Sequence, residues 1–142
     1  MHIKNLSMFC LILTIISLAV FAGCGSSLAT VQGNVTFDGQ SVEQGMIVLE
    51  PADGIGPVAG GTIQNGKYRL GDEQGVTPGN KIVRISAMRA TGKKIKAGPP
   101  APDDAMVDEI QQYIPAQFND KSTLTAEISA GDVTKDFNLQ SK

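Results

Sequence analysis

Hydrophobic and polar positions alternate along most of this chain with a period of two, the spacing of a strand with one buried face. Residues 29–37, ATVQGNVTF, set Ala29, Val31, Gly33, Val35 and Phe37 on one side and Thr30, Gln32, Asn34 and Thr36 on the other. Asp38-Gly39 then marks a turn. The run MIVLEP, residues 46–51, is continuously apolar until Glu50 and Pro51, and predicts a second, more deeply buried strand. In PVAGGTIQNGKYRL, residues 57–70, Asn65-Gly66 separates two alternating runs. That pair suits a type I′ hairpin, whose two central residues both need positive φ. NKIVRISA (80–87), LTAEI (124–128) and VTKDFNL (133–139) complete a set of seven short strands punctuated by turn residues. Such a series predicts an all-β, antiparallel sandwich, and the 16 glycines suit turns and bulges better than helices.

One stretch breaks the rhythm. Residues 88–117 are too long for an ordinary sandwich loop. The stretch starts basic with Arg89, Lys93, Lys94 and Lys96, passes through Pro99, Pro100 and Pro102, and turns acidic. Within DDAMVDEIQQY, Met106, Ile110 and Tyr113 stand at helical spacing, with Asp103 or Asp104 placed to cap and Pro115 to stop. The expectation is one long loop carrying a short helix.

The N-terminus follows a different pattern. His2 and Lys4 precede an apolar run over residues 8–22, and the small residues Ala22 and Gly23 follow. That order is a secretory signal; the run is short for a permanent spanning helix, the competing reading. Phe21-Ala22-Gly23-Cys24 resembles the lipobox of bacterial lipoproteins, with Phe21 where leucine is commonest. The resemblance implies cleavage before Cys24, a lipid on its thiol and acylation of the new amine, since stable anchoring takes more than one acyl chain. The expected organisation is a signal peptide at 1–23, a lipidated linker at 24–28 and one β-sandwich domain at 29–142. Gly25 stands where aspartate favours inner-membrane retention in such lipoproteins, which points to secretion across the inner membrane and anchoring in the outer one.

Composition narrows the chemistry. The one histidine, His2, and one of the two cysteines, Cys10, lie within the signal, and the chain has no tryptophan. A mature chain without histidine, whose remaining cysteine is acylated, cannot assemble a Ser-His-Asp or Cys-His nucleophile, nor a Cys/His zinc site. Paired carboxylates remain available, but few aromatics accompany them to bind a sugar. The net charge is −2, and losing Lys4 makes it more negative, which argues against nucleic acid. No catalytic, cofactor or metal residue is assigned. The expected protein is not an enzyme and carries no cofactor.

Other groups have two readings each. Asp103, Asp104, Asp108 and Glu109 read as a calcium cluster or as the solvated acidic start of a helix, and the lack of an internal glycine favours the helix start. The basic residues 89–96 suit anionic headgroups or an acidic wall polymer, or else a solvated loop. Tyr68 and Tyr113 stack on a ligand or close the core, and Tyr68 is assigned to the core.

The order of motifs carries a further resemblance. VQGNVTFDGQSVEQGMIVLEP, IQNGKYRL, TPGNKIVRI, IPAQFNDKSTLTAEI and a terminal FNL together are similar to the carboxypeptidase regulatory-like domain in its transthyretin-like form. The chain particularly resembles the small secreted lipoproteins of planctomycete bacteria. The resemblance spans about residues 29–139 and implies a seven-stranded, prealbumin-like sandwich without peptidase activity. The histidines that serve transthyretin-like hydrolases have no counterpart in the mature chain. The expectation is a lipid-anchored, non-enzymatic envelope protein acting as a binding or structural module, with an accessory carbohydrate- or peptide-binding role as the alternative. Its partners would be the membrane, through the lipid, and an envelope protein or glycan.

Overall fold

The computed structural model describes residues 27–141. The expected signal peptide, Cys24 and most of the 24–28 linker therefore lie outside the described residues. Among these, eleven strands and one three-residue 3₁₀ turn at Ala116–Phe118 make an all-β, sandwich-like body. The strands are β1 (Ala29–Phe37), β2 (Gln40–Ser41), β3 (Gln44–Pro51), β4 (Ala59–Gln64), β5 (Lys67–Leu70) and β6 (Gly79–Ser86). They continue as β7 (Met88–Lys96), β8 (Met106–Gln112), β9 (Thr125–Ile128), β10 (Gly131–Thr134) and β11 (Phe137–Leu139).

Local chemistry explains most of these. The alternation in β1 buries Ala29, Val31 and Val35 and leaves Gln32 outside. Asn65 and Gly66 take φ of 51° and 74°, the positive values a type I′ turn between β4 and β5 needs. Strand β3 departs from the expectation of a doubly buried strand. Ile47 and Leu49 are buried, whereas Met46 is 54% exposed. The reason is that each strand here has core on one side only, so an apolar run still alternates between core and solvent.

Nine strands form one curled sheet in the order β10-β1-β5-β4-β3-β6-β9, with β2 and β11 also paired to β1. Its two edge strands, β9 and β10, are consecutive in the chain, and only residues 129 and 130 separate them. Three Cα steps reach at most about 11 Å, so the sheet has to bend until its edges approach. The curl encloses one apolar core that includes Val31, Ile47, Ile63, Val83, Ile85 and Ile128. The pairing is not purely antiparallel, because β1 runs parallel to both β10 and β11. That departure follows from closure: the last strands come back to β1 from the far edge, running in its own direction.

The expected strand 133–139 is broken at Lys135-Asp136 into β10 and β11. Lys135 N–H donates to the Gln32 carbonyl at 2.9 Å, and the Lys135 carbonyl accepts the Tyr68 hydroxyl at 2.7 Å. That carbonyl sits where a Cβ on Gly33 would come within 1.9 Å of its oxygen. Asp136 Oδ1 accepts both the Asn34 backbone N–H at 2.7 Å and its side-chain amide at 3.0 Å. The kink thus hands β1 from one parallel partner to the next.

The expected helix near 103–113 is absent, and this is the main correction. Residues Met106–Gln112 form β8, paired antiparallel with β7, and Asp103 and Asp104 sit in the turn between them. Helical spacing stabilises a helix only where a surface buries the apolar stripe. None does here, since Ile110 is 64% exposed. A ladder to β7 satisfies the backbone instead. The segment is therefore an ordered hairpin arm rather than a loop.

The kink at Gly33 is testable. Gly33→Ala should destabilise the fold by about 3 kcal/mol, the upper range for forced overpacking. Gly60→Ala, where the nearest atom lies 3.6 Å from the built Cβ, should change stability by less than about 1 kcal/mol. Tyr68→Phe should cost about 1–2 kcal/mol by leaving the Lys135 carbonyl short of a donor. Urea midpoints of the three variants check all three values.

Candidate functional site

Strand direction sorts the loops into two ends. Strands β1 and β6 both start beside residues 71–79, where Ala29 bridges Val76 and Gly79 pairs with Ile128. Both finish at the opposite end, where Phe37 and Ser86 precede the β1–β2 turn and the hairpin arm. The first end, which receives the chain from residue 28, is here the near pole; the second is the far pole.

At the far pole a groove of about 610 Å³ opens between the arm's root and the β1–β2 and β4–β5 turns. Its apolar wall is Phe37 and Tyr113, edge to face with ring centroids 5.8 Å apart. The Arg89 guanidinium lies 5.0 Å from the Tyr113 ring centre, a cation–π distance. Asp38, Glu43, Gln40, Gln44, Gln64 and Asn65 supply acceptors and amide donors around the rings. Burial pushes the Tyr113 hydroxyl pKa above its ordinary value; the Arg89 charge opposes this and the Glu43 charge adds to it. The hydroxyl therefore stays protonated at neutral pH.

Of the two carboxylates of this groove, Asp38 is tied to the C-terminal residues. Asp38 accepts Ser141 N–H at 2.7 Å through Oδ1 and Ser141 O–H at 2.6 Å through Oδ2. These bonds hold its pKa below the usual carboxylate value, so it is a poor proton donor. It serves to pin the C-terminal residues beside β1. What the groove offers is a stacking face ringed by hydrogen-bonding groups, a lining that suits a polar ring or an extended peptide.

The structure separates the groups singled out in the sequence. Asp108 pairs with Lys94 at 2.8 Å, and Glu109 accepts the Thr91 hydroxyl at 2.6 Å, while Asp103 and Asp104 remain at the arm's tip. Among the described residues no three His, Cys, Asp or Glu side chains gather to hold a metal ion. The basic run is also divided: Arg89 stacks at the arm's root, Lys94 is paired, and Lys93 and Lys96 face solvent. Tyr68 is buried at 4% exposure and serves the core, as assigned. Tyr113 instead reaches the groove. Phe37, Asp38 and Glu43 lie some seventy residues or more before it in the chain, so no local pattern linked them to it.

The arm itself is exposed on both sides, with Met88, Met106 and Ile110 standing in solvent. A second hollow, of about 600 Å³, lies at the near pole and is lined by Leu28, Pro57, Val58, Arg69, Asp72 and Glu73 among others. Among the described residues no helix is long and apolar enough to cross a membrane. Searched against protein-family models, curated proteins and solved structures, the chain matches none.

The Asp38–Ser141 tether has a defined pH dependence. Because its folded pKa lies below the ordinary 3.8, its stabilising contribution is complete above that value and lost as pH falls through the lower folded one. The Ser141 amide resonance should therefore titrate with a midpoint under 3.8, and Asp38→Asn should abolish that titration.

Proposed function

We propose that the protein is a lipid-anchored, non-enzymatic envelope protein whose β-sandwich-like body is a binding module, with Cys24 as the lipidated residue. The observation that carries this reading is the opposition of the two poles. Strand β1 takes the chain from Leu28 to Phe37, and nine residues of strand rise about 30 Å. A lipid just upstream of Leu28 would therefore hold the near pole at a bilayer. The groove and the hairpin arm would face away from it, towards whatever lies beyond.

The far pole supports binding rather than catalysis. Its rings and amides form a recognition surface, and Asp38 has both oxygens engaged by Ser141. The arm adds unpaired strand edges and exposed methionines, features of strand-addition and adaptable protein contacts. The motif order from VQGNV to FNL supports a relation to the transthyretin-like form of the carboxypeptidase regulatory-like domain. The lipobox resemblance and Gly25 support secretion and anchoring in the outer membrane.

Fractionation of envelopes tests the anchor. Wild-type chain should sediment with membranes, and Cys24→Ser should move to the soluble fraction; a variant that stays with membranes would remove the reading.

A second reading, an accessory module that binds a carbohydrate or peptide for a separate hydrolase, is favoured by the Phe37–Tyr113 wall. On this reading Tyr113→Ala should weaken retention on an envelope glycan column about tenfold, equivalent to ~1.4 kcal/mol, the scale of one aromatic contact. Unchanged retention would leave the arm as the binding element.

A further inference from the structure

At the near pole three apolar side chains stand in solvent, Leu28 where the chain enters the body and Ile55 and Val58 in the loop between β3 and β4. Leu28 is 48% exposed, Ile55 79% and Val58 58%. Leu28 and Val58 line one hollow together with Pro57, and Ile55 belongs to the same loop as Val58. The group is held by the fold. Gly75, at φ +66°, makes room for Leu28, whose Cβ would lie 2.4 Å from a Cβ added there. Ala29 is bonded both ways to Val76, at 2.7 and 2.8 Å. Asp53 Oδ1 accepts the Ile55 N–H at 3.0 Å and fixes that turn.

We propose that Leu28, Ile55 and Val58 form a membrane-contact surface that seats the near pole in the headgroup layer of a zwitterionic bilayer. The inference rests on Cys24 being the lipid-bearing residue. Four residues span at most about 14 Å, so Leu28 lies within that backbone distance of the lipid-bearing Cys24. A body tethered so closely meets the bilayer with the surface next to its tether. That surface carries the exposed side chains suited to the boundary between headgroups and acyl chains. Its charge selects the lipid. Asp72 and Glu73 line the hollow with Leu28 and Val58, Asp53 holds the turn at Ile55, and Arg69 is engaged by Asp72 and Gln32, each at 2.6 Å. An anionic leaflet would repel these carboxylates, whereas a zwitterionic one would not.

The absence of tryptophan from the chain makes the test clean. The lipidated protein is reconstituted in phosphatidylcholine vesicles as Ile55→Trp, Val58→Trp or Ile110→Trp, with and without brominated acyl chains. The two near-pole tryptophans should shift to the blue and lose about half their emission to the bromolipid, as expected for side chains sunk to the acyl boundary. The tryptophan at 110 should do neither. Adding phosphatidylglycerol should reduce the quenching at 55 and 58; an increase would overturn the charge assignment. If the chain floats with vesicles in a Cys24-dependent way but residues 55 and 58 are not quenched, the contact surface is disproved and the anchor stands. If flotation fails, or Cys24→Ser floats equally well, the anchor reading falls and takes this inference with it. A blue shift that depends on protein concentration and needs no lipid would make the patch a protein contact, which also overturns the proposal.

Discussion

The structure depends on one close approach, that of the Lys135 carbonyl to the bare backbone of Gly33. A strand that follows β1 along its full length would have to continue straight, yet β1 changes partners halfway, from β10 and β5 to β11 and β2. The kink at Lys135-Asp136 allows that exchange, and it needs a position on β1 with no side chain in the way. Tyr68 then caps the exposed carbonyl from inside, and Asp136 caps the Asn34 amide from outside. Burial is the main influence that raises the Tyr68 hydroxyl pKa, with the Asp136 charge adding to it. The hydroxyl is therefore a permanent donor across the physiological range. Strand β5 is tied to this junction through Tyr68 as well as through its own ladder to β1.

Much of the body was legible because its strands alternate. Six of the expected strands stand close to where periodicity placed them, and the Asn65-Gly66 turn has the conformation its residues require. The errors share a cause. Periodicity reports which side chains share a face, but not whether a surface exists to cover that face. DDAMVDEIQQY satisfies helical spacing at Met106, Ile110 and Tyr113, yet only Tyr113 finds neighbours, at the groove. The parallel return of β10 and β11, and the break between them, depend on Gln32, Gly33 and Asn34 meeting residues about a hundred positions away. Nothing local to VTKDFNL encodes that meeting. Groove residues were hidden for the same reason, since Phe37 and Tyr113 approach only after the curl is complete.

The two poles are chemically unlike. At the near pole Asp72 and Glu73 share a hollow with Leu28 and Val58, Arg69 is engaged by Asp72, and the buried Lys81 donates to Thr77. The far pole mixes both signs, with Arg89 stacked, Lys94 paired to Asp108, and Lys93 and Lys96 in solvent. An extended two-stranded arm is marginal alone. Here its root is stapled by Gln112, whose side-chain oxygen accepts the Ala87 N–H at 2.9 Å, and by the Tyr113 N–H donating to the Ala87 carbonyl at 3.1 Å. Two adjacent residues thus fix where an otherwise self-contained ribbon leaves the body.

The pairing of the first strand with the last also governs when this chain becomes a folded object. Strand β1 emerges early from the ribosome, but two of its partners, β10 and β11, lie about a hundred residues later. Closing so long a loop gives no reward until those residues arrive, and synthesis proceeds from the N-terminus. Until its final dozen residues are free, the growing chain lacks Val133, Phe137 and Leu139 from its core. It therefore cannot close its core until both returning strands have been made.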